Sequence, residues 1–209
     1  MKLVIFGATG TVGRQVVQQA LEQGHTVTAF ARNLTKLDIQ HPQLGFAQGD
    51  VMDASAVEQA IRGQDAVVCV LGSGKQLKST IRSEGTRQII QAMERVGVRR
   101  LICQSTLGTG DSWSNLNFYW KYVMFGFILR QVFADHERQE ALVRNSNLDW
   151  TIVRPGAFTD GPLTGRYRHG FPSSDRNITL QISRADVADF ILKQLSDQSS
   201  FYQAPSLSY

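Results

Sequence analysis

Gly7, Gly10 and Gly13, set three residues apart in Gly7-Ala8-Thr9-Gly10-Thr11-Val12-Gly13, are the residues whose type and spacing point most directly to chemistry in this chain. A strand-like run, Lys2–Phe6, leads straight into them and an amphipathic segment opens at Thr11, so they lie where a strand hands over to a helix. The first amides of a helix lack intrahelical partners and carry the positive end of its dipole, which suits such a turn to cradling a pyrophosphate. In that role Gly7 permits the tight turn, Gly10 lets the backbone approach the anion, and Gly13 lets the helix lie close to the sheet. Thr9, Thr11 and Val12 complete the expected cradle.

A second apolar run, Thr26–Ala31, ends at Arg32-Asn33, where a protein that binds the ribose hydroxyls of NAD would carry Asp or Glu. A carboxylate would repel a 2′-phosphate, whereas the Arg32 guanidinium can pair with one through two parallel hydrogen bonds. Together with Asn33, and Lys36 one turn further on, this selects NADPH (NADP) as the expected cofactor. Asp50 and Val51 suit the adenine edge; Leu71, Gly72 and Ser73 suit the ribose and nicotinamide; Pro155 and Gly156 close the expected cofactor site.

The elements that must hold these residues follow from periodicity. Short β-rich runs alternate with longer amphipathic segments, the pattern of a parallel sheet with crossover helices. The strands predicted are Lys2–Phe6, Thr26–Ala31, Gly45–Gln48, Ala66–Leu71, Arg100–Gln104 and Trp150–Val153. The helices predicted are Thr11–Gln23, Ala54–Ile61, Thr80–Val96, Asn117–Asn145 and Arg184–Leu195. The expected fold is α/β: a single Rossmann domain over residues 1–209, a doubly wound parallel sheet with helices on both faces. Residues 155–177, rich in Gly, Pro, Ser and Arg, form the expected wall of the substrate cleft, because ligands in such sheets sit outside the carboxyl ends of the strands.

Bulk properties narrow the classes. A chain of 209 residues, 42% hydrophobic and 19% charged, fits one globular domain and excludes a disordered or fibrous one. The net charge of +4 is diffuse, so no nucleic-acid partner is expected. Cys69 and Cys103 lie in apolar runs and read as core packing, with no disulfide scaffold. No His, Cys or carboxylate group has metal-ligand spacing, so no metal is expected. The strand that begins at Lys2 leaves no room for a signal peptide and the most apolar stretch, 122–132, is too short to span a bilayer, so a cytoplasmic protein without an integral membrane segment is expected, as a monomer or weak homo-oligomer.

The reactive groups are few. A Tyr-x-x-x-Lys pair, which would lower the phenol's pKa for alcohol chemistry, is missing: Val123 follows Tyr119 at that spacing and Gly126 follows Tyr122. Ser105 and Thr106 end the fifth strand and would stand beside the nicotinamide, either one contacting the reacting rings. His136, within Asp135-His136-Glu137-Arg138, is expected to be solvated or salt-linked. Phe118, Trp120, Tyr122, Phe125, Phe127 and Phe133 form an aromatic cluster that reads as core, as a flap over the substrate or as a self-association face.

Taken together, the G-x-x-G-x-x-G turn, Ala31-Arg32-Asn33, Gly49-Asp50-Val51, Gly63-Gln64-Asp65-Ala66-Val67-Val68 and Ser83-Glu84-Gly85-Thr86-Arg87 resemble the atypical short-chain dehydrogenases/reductases of NmrA-like kind. Pro155, Asp160-Gly161-Pro162-Leu163-Thr164-Gly165-Arg166-Tyr167 and the terminal Ala204–Tyr209 are similar to the biliverdin-IXβ reductase, or NADPH-dependent flavin reductase, branch. The resemblance implies NADPH-dependent hydride transfer to a flavin or a linear tetrapyrrole, with Thr106 or Ser105 as counterpart of that branch's active-site serine. Ala157 departs from it, falling where the mammalian enzymes carry a histidine, and the 117–145 segment is longer and more apolar. An alternative is a non-catalytic NmrA-like NADP-binding sensor or assembly factor, which the missing Tyr-Lys pair fits equally well.

Overall fold

A computed structural model describes residues 1–74 and 76–209. Strands β1 (Lys2–Phe6), β2 (Thr26–Ala31), β3 (Leu44–Gln48), β4 (Ala66–Cys69), β5 (Arg100–Gln104) and β6 (Asp149–Pro155) run parallel in the order β3-β2-β1-β4-β5-β6. The crossovers are α1 (Thr11–Glu22), α2 (Ala54–Ile61), α3 (Ile81–Val96) and α4 (Arg130–Arg144). The chain winds from β1 outward through β2 and β3, then returns to β4 on the other side of β1, which opens a crevice beyond the carboxyl ends of β1 and β4.

Both faces of the sheet are covered, and so the central strands β4 and β5 are buried along their whole length rather than at alternate residues. One core joins Leu3, Ile5 and Val68 to Val16, Val17 and Ala20 of α1 and to Val187 and Ile191 of α5 (Arg184–Lys193). The other joins Val4, Phe6 and Val67 to Ile61, Ile89 and Met93. Cys69 and Cys103 face each other across β4 and β5 in this second core, both buried and unbridged. The structure is the α/β Rossmann fold with helices on both faces that the periodicity predicts.

Three differences bear on the site. The expected helix 117–145 is two pieces: a π-helix, Tyr119–Ile128, and then α4, joined at Leu129. Its winding follows from burial. Trp120 and Phe125, five residues apart, both turn inward and their rings lie 5.5 Å apart, a pairing that i→i+5 winding permits and an α-helix does not. Phe125 then stacks on Phe133 at 4.6 Å. Second, β6 runs on to Pro155 because β10 (Ser206–Ser208) pairs with its end. Third, the segment 155–177, irregular by its composition, carries β7 (Ala157–Thr159) and β8 (Arg168–His169), and β9 (Gln181–Ser183) follows it. β8 adds the sheet's antiparallel edge beside β10, and β7 pairs with β9.

Candidate functional site

One cavity of about 560 Å³ follows the crevice from the glycine turn to the π-helix. Its near end is main chain. Gly7 has φ +87°, a left-handed conformation that L side chains rarely adopt, and a Cβ there would lie 2.4 Å from the Val70 carbonyl oxygen. A Cβ on Gly13 would lie 2.1 Å from the Gly7 carbonyl oxygen, so α1 docks on the turn only without one. Gly10 caps α1 in extended conformation, with no side chain on the first amides and no carboxylate in the first turn. An anion would therefore meet free N–H groups and no opposing charge.

Arg32 and Lys36 line the cavity from the carboxyl end of β2, and neither forms an ion pair among the described residues. Thr9, Gly10, Thr11, Val12, Asp50, Val51, Leu71, Gly72, Pro155 and Gly156 line it as well, as do Ser105 and Thr106. Gly13, Asn33 and Ser73 do not. Gly13 packs beneath the turn. The Asn33 carboxamide oxygen accepts from the Thr35 amide at 3.0 Å, and the Ser73 hydroxyl accepts from Arg82 at 3.1 Å.

The far end is side chain. Leu107, Leu116, Trp120, Phe125, Leu129 and Leu180 wall an apolar chamber. Leu180 holds φ +60°, unusual for a branched residue, and its carbonyl oxygen would sit 2.6 Å from a Cβ at position 156, so Gly156 is fixed by that close approach. Gln104 and Ser105, at the end of β5, line the cavity, with the Gln104 carboxamide oxygen buried and the Ser105 hydroxyl buried beside the Glu140 carboxylate. Thr106 makes only a 3.4 Å contact from its hydroxyl to the Leu107 carbonyl.

His136 corrects the expectation of a solvated or salt-linked side chain: it is buried, outside every ion pair among the described residues, and lines the cavity. The Gln139 carboxamide nitrogen donates to the Thr86 hydroxyl at 3.0 Å, which leaves its oxygen, 3.2 Å from His136 Nδ1, to accept the imidazole N–H. Burial first, then the charge of Arg82, push the His136 pKa down to about 3. The ring is neutral near pH 7, with Nε2 left as an acceptor. Neither His136 nor Gln104 carries a spacing signal that sequence reasoning could use, since each reaches the cavity only through the packing of α4 and β5.

The chamber rests on buried charge. Arg154, on β6, donates to both Glu140 oxygens at 2.9 and 2.7 Å and to Asp111 at 2.6 Å, tying α4 to the loop after β5. Burial acts to raise the Glu140 carboxyl, but the Arg154 guanidinium outweighs it and holds the pKa below its ordinary value. Asp135, also on α4, accepts from the Ser83 hydroxyl at 2.5 Å and from the Arg82 and Ser83 amides at 3.2 and 3.3 Å, capping α3 from outside.

A family profile described as NAD(P)H-binding matches residues 7–198, and the chain belongs to that family. The chain is 30% identical to the UPF0659 protein YMR090W of Saccharomyces cerevisiae, across 93% of this chain and 87% of the yeast protein. It is 28% identical to the photosystem II assembly factor Ycf39 of Synechocystis, a match covering 80% of this chain but 48% of that longer protein. Among solved structures, ChuY, an anaerobillin reductase from Escherichia coli O157:H7, superposes with a TM-score of 0.83 at 27% identity, covering 99% of this chain and 96% of ChuY. The chain therefore binds NAD(P)H on a fold of the oxidoreductase type, and the atypical short-chain reductase resemblance holds. No helix among the described residues is long and apolar enough to cross a membrane.

Proposed function

We propose that the protein is an NADPH-dependent reductase that passes a hydride to a planar conjugated acceptor, a flavin in preference to a linear tetrapyrrole. The observation that carries this reading is the continuity of the cleft, from Arg32 and Lys36, outside every ion pair among the described residues, at one end to an aromatic chamber at the other. Bound NADPH would supply the hydride, leaving NADP, and binding and orienting both molecules falls on this chain's own residues.

Gly7 and the first amides of α1 hold the pyrophosphate, and Arg32 with Lys36 selects the 2′-phosphate. Asp50, Val51, Leu71, Gly72, Pro155 and Gly156 flank the rest of the cofactor. Trp120 and Phe125 pack against a flat acceptor and keep water from its face. Ser105 and Thr106, both lining the cavity beyond β5, are the two hydroxyl candidates to bond the reacting rings.

The residues also favour one acceptor over the other. His136, neutral with a pKa of about 3, is no proton donor near pH 7. A flavin takes hydride at one ring nitrogen and draws its remaining proton from water, so it needs no such donor. The kinship with ChuY supports a tetrapyrrole as second acceptor, and the kinship with Ycf39 supports the non-catalytic alternative. The open chamber favours catalysis over both a plugged site and a sensor. Steady-state oxidation of NADPH on adding riboflavin, FMN or biliverdin tests the reading: turnover with flavin exceeding that with biliverdin is expected, and no turnover above background with any of them overturns it.

A further inference from the structure

The π-helix presents a second stripe that the cleft does not use. Its winding sends Trp120 and Phe125 inward and leaves Phe118, Tyr119, Tyr122, Val123, Phe127 and Ile128 on the outside, recurring every four to five residues in step with the i→i+5 ladder. These are not marginal exposures: Phe127 is 82%, Phe118 73% and Tyr122 61% accessible. Contiguous apolar surface of this kind marks a site of contact rather than ordinary solvated surface.

The charges nearby decide what covers it. No carboxylate occurs between Asp111 and Asp135, whereas Lys121 lies within the π-helix and the exposed Arg130 lies two residues past its end. A second copy of this chain packed through the same stripe about a two-fold axis would bring these cations together with no acid in the segment to offset them. An anionic lipid surface supplies the opposite charge to Lys121 and Arg130 and an apolar layer for the aromatic rings, a combination characteristic of helices that lie in the membrane interface. Tyr and Phe between flanking cations also match the aromatic and basic composition of that interface.

We propose that the outer stripe of the π-helix docks the protein peripherally on anionic membrane surfaces, which would set the wall of the cleft against the bilayer. The inference does not depend on the identity of the acceptor. The full chain would be sedimented with vesicles of phosphatidylcholine alone and of phosphatidylcholine mixed with phosphatidylglycerol, at low and high salt. Binding to the mixed vesicles, weakened by salt and about tenfold weaker in F127S/Y122S and in K121Q/R130Q, is the expected result. NAD(P)H binding of these variants, measured by calorimetry, should be unchanged and reports that they fold. Equal recovery with and without phosphatidylglycerol, or no recovery with either, overturns the proposal. So does a concentration-dependent dimer in solution that F127S/Y122S abolishes, which would make a second copy the occupant.

Discussion

At the nucleotide end the cleft is shaped by main chain: a Cβ at Gly7 or Gly13 would strike a carbonyl oxygen, and the first amides of α1 carry no cap. At the far end it is shaped by side chains brought from β5, the π-helix, α4 and the segment around Leu180, braced by one buried ion pair. The difference teaches that the two ends fail differently. On the proposed reading, a defect in the main-chain end removes binding of the anion, whereas a defect in the side-chain end first loosens the packing that makes the chamber.

The largest effect therefore belongs to the brace. Glu140→Ala would leave the Arg154 guanidinium buried with Asp111, itself on the surface, as its remaining carboxylate. Removing one member of a buried pair costs about 3–5 kcal/mol. The urea midpoint should fall accordingly, and a midpoint within error of the parent would show that the chamber does not depend on this pair. The pH dependence has a definite sign. Because the folded Glu140 pKa lies below its unfolded value, its stabilisation is full above the unfolded pKa and fades as pH falls through the folded one. The variant should lose less stability than the parent in that acid window.

Next comes the main-chain end. Gly13→Ala places a methyl 2.1 Å from the Gly7 carbonyl oxygen, so the turn and α1 must separate. NADPH binding measured by calorimetry should weaken by about 100-fold, roughly 2.7 kcal/mol. An unchanged Kd would mean that the turn does not hold the pyrophosphate. A smaller and more selective change is expected at Arg32→Ala, since a charge-assisted pair to one phosphate is worth about 10- to 100-fold. The NADPH affinity should fall by that factor while the NADH affinity stays put. A parallel loss for both would refute phosphate selection by Arg32.

The same contrast explains what the sequence discloses. β1, β2, α2 and β5 are found at the residues that periodicity predicts, because each is bounded by a local signal: a run of apolar residues, a glycine turn, or the Asp53 cap that accepts from the Ser55 and Ala56 amides. The glycine spacing is legible for the same reason, since the close approaches that require Gly7 and Gly13 are made within consecutive main-chain atoms. β7 to β10 are not legible. They are two or three residues long and exist through pairings such as Ser206 with Arg154, more than fifty residues away in sequence. The break at Leu129 is equally hidden, because an α-helical and a π-helical reading of 117–128 differ only in which aromatic residues meet a wall contributed by Leu107, Leu116 and Leu180. His136 follows suit: a histidine among charged neighbours reads as surface until the Gln139–Thr86 link shows it turned inward.

His136 also provides the smallest predicted effect, and a sharp one because it is an absence. With the folded pKa at about 3, the imidazole does not titrate between about pH 5 and 8, so the rate of NADPH oxidation should show no inflection near the ordinary histidine value of about 6.5. Stability behaves otherwise. The unfolded chain takes up a proton on this residue as pH falls below about 6.5, the folded chain does not until about 3, and the folded state therefore loses stability across that window. His136→Gln removes the titration while keeping a polar group beside Gln139, so its urea midpoint should drop less than the parent's between about pH 7 and about pH 4.5. If both midpoints drop in parallel, His136 is not held neutral in the folded protein, and the absence of a proton donor, on which the preference for a flavin rests, no longer stands.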